Sequence, residues 1–410
     1  MSDTATPLFA SLFDPGVRRD PYPFFQRLRT EEPVYETPFQ VWILSRYRDV
    51  AAVLKDARSG SDQRKSTEYQ AWVNQVGEDD PDIQMMQRTR VFLFTDPPDH
   101  ERLRRLASKA FTPRRVEELR PRIQEIVDGL IDRALEQGGM DAISDFAYPL
   151  PVQVISEMLG VPGEDHDSFV RWSRALASDL DPLLLPPSDE ERERRRAYRE
   201  EFIDYFTDLL DERRRRPRGD LLSALVAAED DGDMLSQPEL LGTCILLLAA
   251  GHETTANLIG NGLQALFDNP DQLDRWRRDP SLTRSAVEEL LRYDSPVQAT
   301  IRTALDDMEV DGRTIGKGQQ VGLLLGAANR DPDQFDDPDR LDLARQDNRH
   351  IAFGFGIHFC LGAPLARAEA QIALSTLLQR TSSLEPSAEP VRRDTLVIRG
   401  LLSLPLAVTS

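Results

Sequence analysis

The feature that most constrains this chain is a helix that nothing interrupts from Gln237 to Asp268. Ser236 and Glu239 make a capping box at its start, and Pro238 sits in the first turn, where a missing N–H is tolerated. Asn269-Pro270 ends it. At 1.5 Å rise per residue it runs about 45–50 Å, long enough to cross the whole molecule. Its apolar run, 240–250, is broken by Gly242 and Thr243. That run falls short of the roughly 20 residues a bilayer span needs.

The segments around it are also helical. Hydrophobic periodicity and Pro or Gly stops predict helices over 24–31, 47–54, 98–110, 113–137, 152–159, 164–178, 190–215, 282–293 and 363–380. Alternation over 34–44, with Thr37-Pro38 at the turn, suggests a hairpin, and 320–325 reads as a buried strand. Asp311-Gly312 marks a turn between β-formers. Residues 58–94 read as an irregular polar loop and 328–347 as an extended one. Mostly helix with small separate sheets implies a mainly α (α+β) fold, and with no repeat or linker the expectation is one domain over 1–410.

The formal net charge of −20 argues against nucleic acid as the main partner. Two arginine runs, 192–196 and 213–216, are mixed with acids and read as solvated helix faces or ends. The two cysteines, Cys244 and Cys360, offer no disulfide framework and fit a reducing compartment. The first residues have no basic and apolar leader pattern. The expectation is a cytoplasmic, unanchored monomer.

Chemistry concentrates around Cys360, in Phe353-Gly-Phe-Gly-Ile-His-Phe-Cys-Leu-Gly362. A lone cysteine is usually a small buried hydrophobe. A glycine-rich turn before a helix is often only a turn or a phosphate cradle. Here Gly354, Gly356 and Gly362 let the backbone approach something flat. The following helix start favours a thiolate. A sheltered thiolate is what a haem iron needs from a cysteine ligand.

Phe353, Gly356, His358, Cys360 and Gly362 match F-x-x-G-x-H-x-C-x-G, and here the chain resembles the cytochromes P450. The resemblance implies the triangular, mostly α fold of that family. It also implies haem b as cofactor, with Cys360 as axial ligand of the iron and Phe353, Gly354, Gly362 and Ala250 against the ring. By motif position His100, Arg104, Arg302 and His358 hold the two haem carboxylates.

Ala249-Ala250-Gly251-His252-Glu253-Thr254-Thr255 lies midway along the long helix. Alone it reads equally as a core helix with a weak spot at Gly251. Polar residues in an apolar helix require a reason, and a Thr hydroxyl can bond back to the preceding turn. The stretch looks like the family's A/G-G-x-D/E-T motif. By that resemblance Thr254 and Glu253 are the catalytic pair that delivers protons during oxygen activation. His252 reads as structural or solvent-facing, and Cys244 as a buried thiol.

The resemblance also makes Glu289 and Arg292 the family's buried E-x-x-R pair, completed by Arg340, with the role of fixing the loop of Cys360. Leu246, Ala249, Ala250, Val297, Ala299, Val397 and Ile398 should line the substrate pocket, with 180–185 and the region of Met85, Met86, Phe92 and Leu93 as further walls. Those side chains are nearly all apolar, so a lipophilic small molecule is expected alongside O2. Electrons should come from NAD(P)H through a reductase and a separate ferredoxin or flavodoxin, docked on Arg104, Arg105, Lys109 and Arg367. The expected reaction is hydroxylation or epoxidation, on a polyketide or macrolide, steroid or terpenoid. Three alternatives stay open: a peroxide-driven peroxygenase acting on a fatty acid, a non-enzymatic haem-binding or gas-sensing protein, and a Cys-nucleophile hydrolase.

Overall fold

The structure is a computed structural model, and it describes residues 8–11, 14–177, 188–230 and 232–410. The expected wall at 180–185 therefore lies outside the described residues. The helices used below are α1 (Tyr22–Glu31), α2 (Tyr47–Lys55), α3 (Asp99–Ala110), α4 (Pro113–Gln137), α5 (Pro149–Leu159), α6 (His166–Ala177), α7 (Asp189–Arg215), α8 (Gln237–Asp268), α9 (Pro270–Arg278), α10 (Thr283–Tyr293) and α11 (Ala363–Arg380). No helix among the described residues is long and apolar enough to cross a membrane.

α8 starts at the predicted capping box: Ser236 N–H donates to Glu239 Oε2 at 2.8 Å. It is buried on nearly every side, packed against α5, α6, α10 and α11. Thr112 Oγ1 caps α4 by accepting Arg115 N–H at 3.3 Å, and Gly138 ends it in the left-handed region. α11 packs against α4 on one side and α8 on another.

The main sheet holds β1 (Val34–Glu36), β2 (Trp42–Leu44), β3 (Ser59–Gly60), β4 (Ala299–Ala304) and β5 (Gln320–Leu324) in the order β1-β2-β5-β4-β3. β5 runs parallel to β2, with Val321 opposite Trp42, and antiparallel to β4. This places the two ends of the chain's mixed region against one sheet.

Two expectations fail. The region 58–94 is not simply irregular: it contains helices Thr67–Val76 and Pro81–Gln87. Ser66 Oγ accepts Tyr69 N–H at 3.1 Å, and Asp80 Oδ1 accepts Asp82 N–H at 2.9 Å. The first of these helices lines up Tyr69, Trp72, Val73 and Val76 on one face but fully buries none of them, so its cap matters more than usual. Asn269-Pro270 ends α8 as expected and also opens α9. The run 213–216 is not all solvated either. Arg213 is fully buried, with Nε 2.5 Å from Asp220 Oδ2 and Nη2 2.8 Å from the Gly160 carbonyl.

One buried knot ties distant segments together. Asp294 Oδ1 accepts from Tyr22 Oη at 2.7 Å and from Arg399 Nε at 2.6 Å. The Arg330 guanidinium lies 3.6 Å from the Tyr22 ring centroid and 3.9 Å from that of Tyr293. These charges hold the Asp294 carboxyl below its ordinary range although burial opposes it.

Candidate functional site

The Cys360 loop is a backbone construction. Cys360 N–H donates to the Phe353 carbonyl at 3.0 Å, and Gly354 N–H to the Ile351 carbonyl at 2.9 Å. Gly354 and Gly356 both have positive φ, at 70° and 73°. A Cβ on Gly356 would lie 2.5 Å from the Leu54 carbonyl, so α2 presses on the loop there. That glycine is required by protein backbone, not by a flat ligand as expected. Gly362 has an ordinary φ of −79° as the residue before α11.

Cys360 is exposed to the cleft, although protein atoms crowd its sulfur. Desolvation therefore pushes its thiol up, against the Gly362 and Ala363 N–H groups and the charges of Arg104 and Arg367. The helix start alone does not make it a thiolate; a bound cation would have to. Cys244 is a buried thiol, pushed up to about 12 by burial.

Beside the loop the four expected basic groups converge. The His100 and His358 rings are 3.9 Å apart at their centroids. All four of their ring nitrogens are buried without a hydrogen-bond partner. Arg302 is buried and donates only to Thr300 Oγ1 at 3.0 Å and the Ile301 carbonyl at 2.9 Å. Arg104 donates to the Phe359 carbonyl at 2.6 Å. Neither arginine pairs with a carboxylate among the described residues. Burial and mutual repulsion pull His358 down to about 3, and burial with Arg104 pulls His100 down to about 4. Burial brings Arg302 to about 10. Two unpartnered imidazoles and two arginines without a carboxylate, beside a sulfur, suit a ligand that carries both carboxylates and a metal: haem fits these residues.

On α8, Thr254 Oγ1 donates to the Ala250 carbonyl at 2.6 Å, the expected back-bond. Glu253 is buried and not freely hydrated. Arg393 Nη1 lies 2.5 Å from its Oε1, Asn257 Nδ2 3.4 Å from Oε1, and His252 Nε2 3.4 Å from Oε2. Burial raises its pKa, but His252, Arg393 and Asn257 outweigh that and hold it below the usual carboxylate range. His252 is fully buried, which overturns the solvent-facing reading. Its Nδ1 is 2.7 Å from the Leu248 carbonyl, and Ser173 Oγ of α6 is 2.8 Å away. α8 has neighbours on every side at this level, so turning from the Thr254 face does not lead to water.

The expected apolar residues fall in two separate places. Val297 bridges Ile398, and Gln298 N–H donates to the Val397 carbonyl at 2.8 Å, next to Ala299. Leu246 and Ala249 sit in one cluster with Met85 and Phe92, with Ala250, Leu93 and Phe353 partly buried against it. Met86 is exposed and joins neither group.

The brace differs from expectation in one residue. Glu289 and Arg292 pair through two bonds of 2.8 Å and are fully buried. The third partner is Arg345, whose Nε is 3.1 Å from both Glu289 oxygens. Arg340 points outward and gives only its carbonyl, which accepts from Arg292 Nη2 at 3.2 Å and Arg345 Nη2 at 3.1 Å. The loop folds back by five residues there, and spacing along the chain does not reveal that. The basic dock is also reduced. Arg367 is held by Glu288 through bonds of 2.6 and 2.8 Å, and Lys109 Nζ donates to the Glu229 carbonyl at 2.8 Å. Sequence reasoning missed Arg345, Arg393, Glu288 and His350; the adjacent acids at 288 and 289 were the only available signal.

A family model described as Cytochrome P450 matches residues 4–406. The Vitamin D(3) 25-hydroxylase of Pseudonocardia autotrophica is 43% identical over 97% of this chain and 96% of its own length. Cytochrome P450 monooxygenase PikC of Streptomyces venezuelae is 43% identical over 94% of this chain and 91% of its own. Among solved structures, P450BioI in complex with an acyl carrier protein ligated to hexadec-9Z-enoic acid superposes with a TM-score of 0.88, at 40% identity, over 96% of this chain and 99% of that one. Sequence along the whole length, backbone shape and the family model agree: the chain belongs to the cytochrome P450 family of haem b oxidoreductases.

Proposed function

We propose that the Cys360 thiolate would hold a haem iron and that the enzyme oxygenates a lipophilic natural product of polyketide, steroid, terpenoid or fatty-acyl type. The observation that carries the reading is the set of four unneutralised basic groups, His100, Arg104, Arg302 and His358, gathered beside the sulfur. Bound haem supplies oxygen activation, in which one atom of O2 enters a C–H or C=C bond and the other leaves as water.

His100, His358, Arg104 and Arg302 donate to the two haem carboxylates. Phe353, Gly354, Gly362 and Ala250 give the ring its walls. Val297, Ala299, Val397 and Ile398 on one side, and Leu246, Ala249 and Ala250 on the other, hold the substrate by apolar contact and exclude water. Thr254 Oγ1 spends its proton on the Ala250 carbonyl and so offers lone pairs outward, where it accepts and orients a proton donor. Glu253 passes protons from its Oε2 side, because Oε1 is occupied by Arg393. The chain works as one unit over 1–410 and draws electrons from a separate ferredoxin or flavodoxin. Relatives named for vitamin D3 hydroxylation and polyketide biosynthesis support a bulky apolar substrate.

The test is Cys360→Ala in the haem-loaded protein. The variant is expected to lose the thiolate-type carbonyl band completely; a retained band would sink the assignment. A titration of the wild type with steroid, macrolide and fatty-acid panels, read as displacement of axial water, then identifies the substrate class.

A further inference from the structure

Glu288 stands beside Glu289 on α10 but serves a different cluster. Its carboxylate takes Arg367 Nε at 2.6 Å and Nη2 at 2.8 Å, and faces His350 Nε2 at 3.0 Å. Ala352 N–H donates to His350 Nδ1 at 3.2 Å, which puts the ring proton on Nε2 and makes it the donor to Glu288. Arg367 follows Cys360 on α11, and His350 precedes it. The Arg367 guanidinium also lies 4.5 Å from the Phe353 ring centroid, and the Phe353 carbonyl accepts Cys360 N–H. One carboxylate thus fastens both ends of the loop that carries the sulfur.

The cluster is electrostatic as well as mechanical. The Arg367 charge lies against Phe353, whose backbone carbonyl is bound directly by Cys360 N–H. Burial opposes ionisation of Glu288, but His350 and Arg367 overcome it and hold its carboxyl at about 2. At neutral pH the Arg367 charge is therefore always compensated.

Building on the haem-thiolate reading above, we propose that Glu288 is a positioning residue that sets the reduction potential of the iron through Arg367, by cancelling that charge beside Cys360 and pinning Phe353 to the loop. Reduction removes one positive charge from the iron. Added positive charge nearby favours it and added negative charge opposes it. A merely mechanical brace has no such sign.

The experiment measures the ferric–ferrous equilibrium of the holoprotein by redox titration, after the carbonyl band of the wild type has been recorded. Glu288→Gln is expected to shift the equilibrium toward the ferrous form roughly threefold, the effect of one partly screened charge several ångströms away. Arg367→Gln is expected to shift it by a similar factor the other way, and the double variant to return to the wild-type value. Glu288→Asp, which keeps the charge, restores the wild-type equilibrium; it serves as the paired comparison if Arg367→Gln does not retain haem. Unshifted variants, or two single variants that shift in the same direction, overturn the inference while leaving the haem-thiolate reading intact. A wild-type protein without the thiolate-type band overturns both.

Discussion

Two buried glutamates, Glu289 under the cysteine loop and Glu253 on α8, sit in opposite kinds of surroundings. Glu289 is saturated: Arg292 and Arg345 grip both oxygens at 2.8–3.1 Å, and Asp342 N–H and Asn348 Nδ2 add bonds of 2.9 and 3.2 Å. Glu253 has one short ion pair, to the partly exposed Arg393, and two partners at 3.4 Å. A buried charge with every lone pair occupied has no cheap alternative position. One with a single strong partner at the surface can exchange it for water or for a proton. The first arrangement suits a support, the second a relay.

Breaking the saturated acid should cost most. Glu289→Gln strands Arg292 and Arg345 and should lower stability by about 3–5 kcal/mol. Chemical denaturation of the haem-loaded protein reads this, and a loss below about 1 kcal/mol would remove the contrast. Glu253→Gln should leave haem content and the carbonyl band unchanged while product formation falls about 10²-fold, the low end of general acid–base contributions. Unimpaired turnover would take Glu253 out of the relay. Arg345→Ala should cost about 1.5–3 kcal/mol, as bonds to a charged acceptor do. The exposed Arg340→Ala should stay within about 0.5 kcal/mol. Equal effects at the two positions would restore Arg340 to the brace.

A third buried acid sharpens the comparison because it has no cation among the described residues. Burial pushes Glu369 on α11 up to about 8 from an ordinary value of 4.5, with a hydrogen bond to Thr255 opposing. A carboxyl raised on folding stabilises below its unfolded value and loses that contribution as pH rises through its folded one. Stability should therefore fall between about pH 4.5 and 8. Glu369→Gln should flatten that part of the profile. Denaturation midpoints at pH 5 and pH 9 check this, and an unchanged slope would place the titration elsewhere.

Legibility followed the same division. α4, α8 and α11 could be bounded from the chain because proline, capping side chains and Gly138 punctuate them. The helix at Thr67–Val76 was not, although Tyr69, Trp72, Val73 and Val76 recur at helical spacing, because that stripe is short, set in a polar stretch and nowhere fully buried. At the site, Cys360, its basic neighbours and Thr254 lie at fixed spacings in local motifs. Arg345 and Arg393 reach their acids from irregular segments, and nothing in a linear pattern states where such a segment returns. His252 was legible as part of a motif but not as buried, because its surroundings come from Ser173 on α6 and from Tyr148, 5.2 Å away between ring centroids.

The Asp294 knot has a consequence for biosynthesis. Its partners stand at positions 22, 330 and 399, so a chain made only just past α10 has the aspartate and Tyr22 but neither arginine. Burying the carboxylate at that stage would strand an uncompensated charge. Tyr22 and α1 can therefore be locked onto α10 only after residue 399 has been made, which orders the assembly of the two ends of the fold.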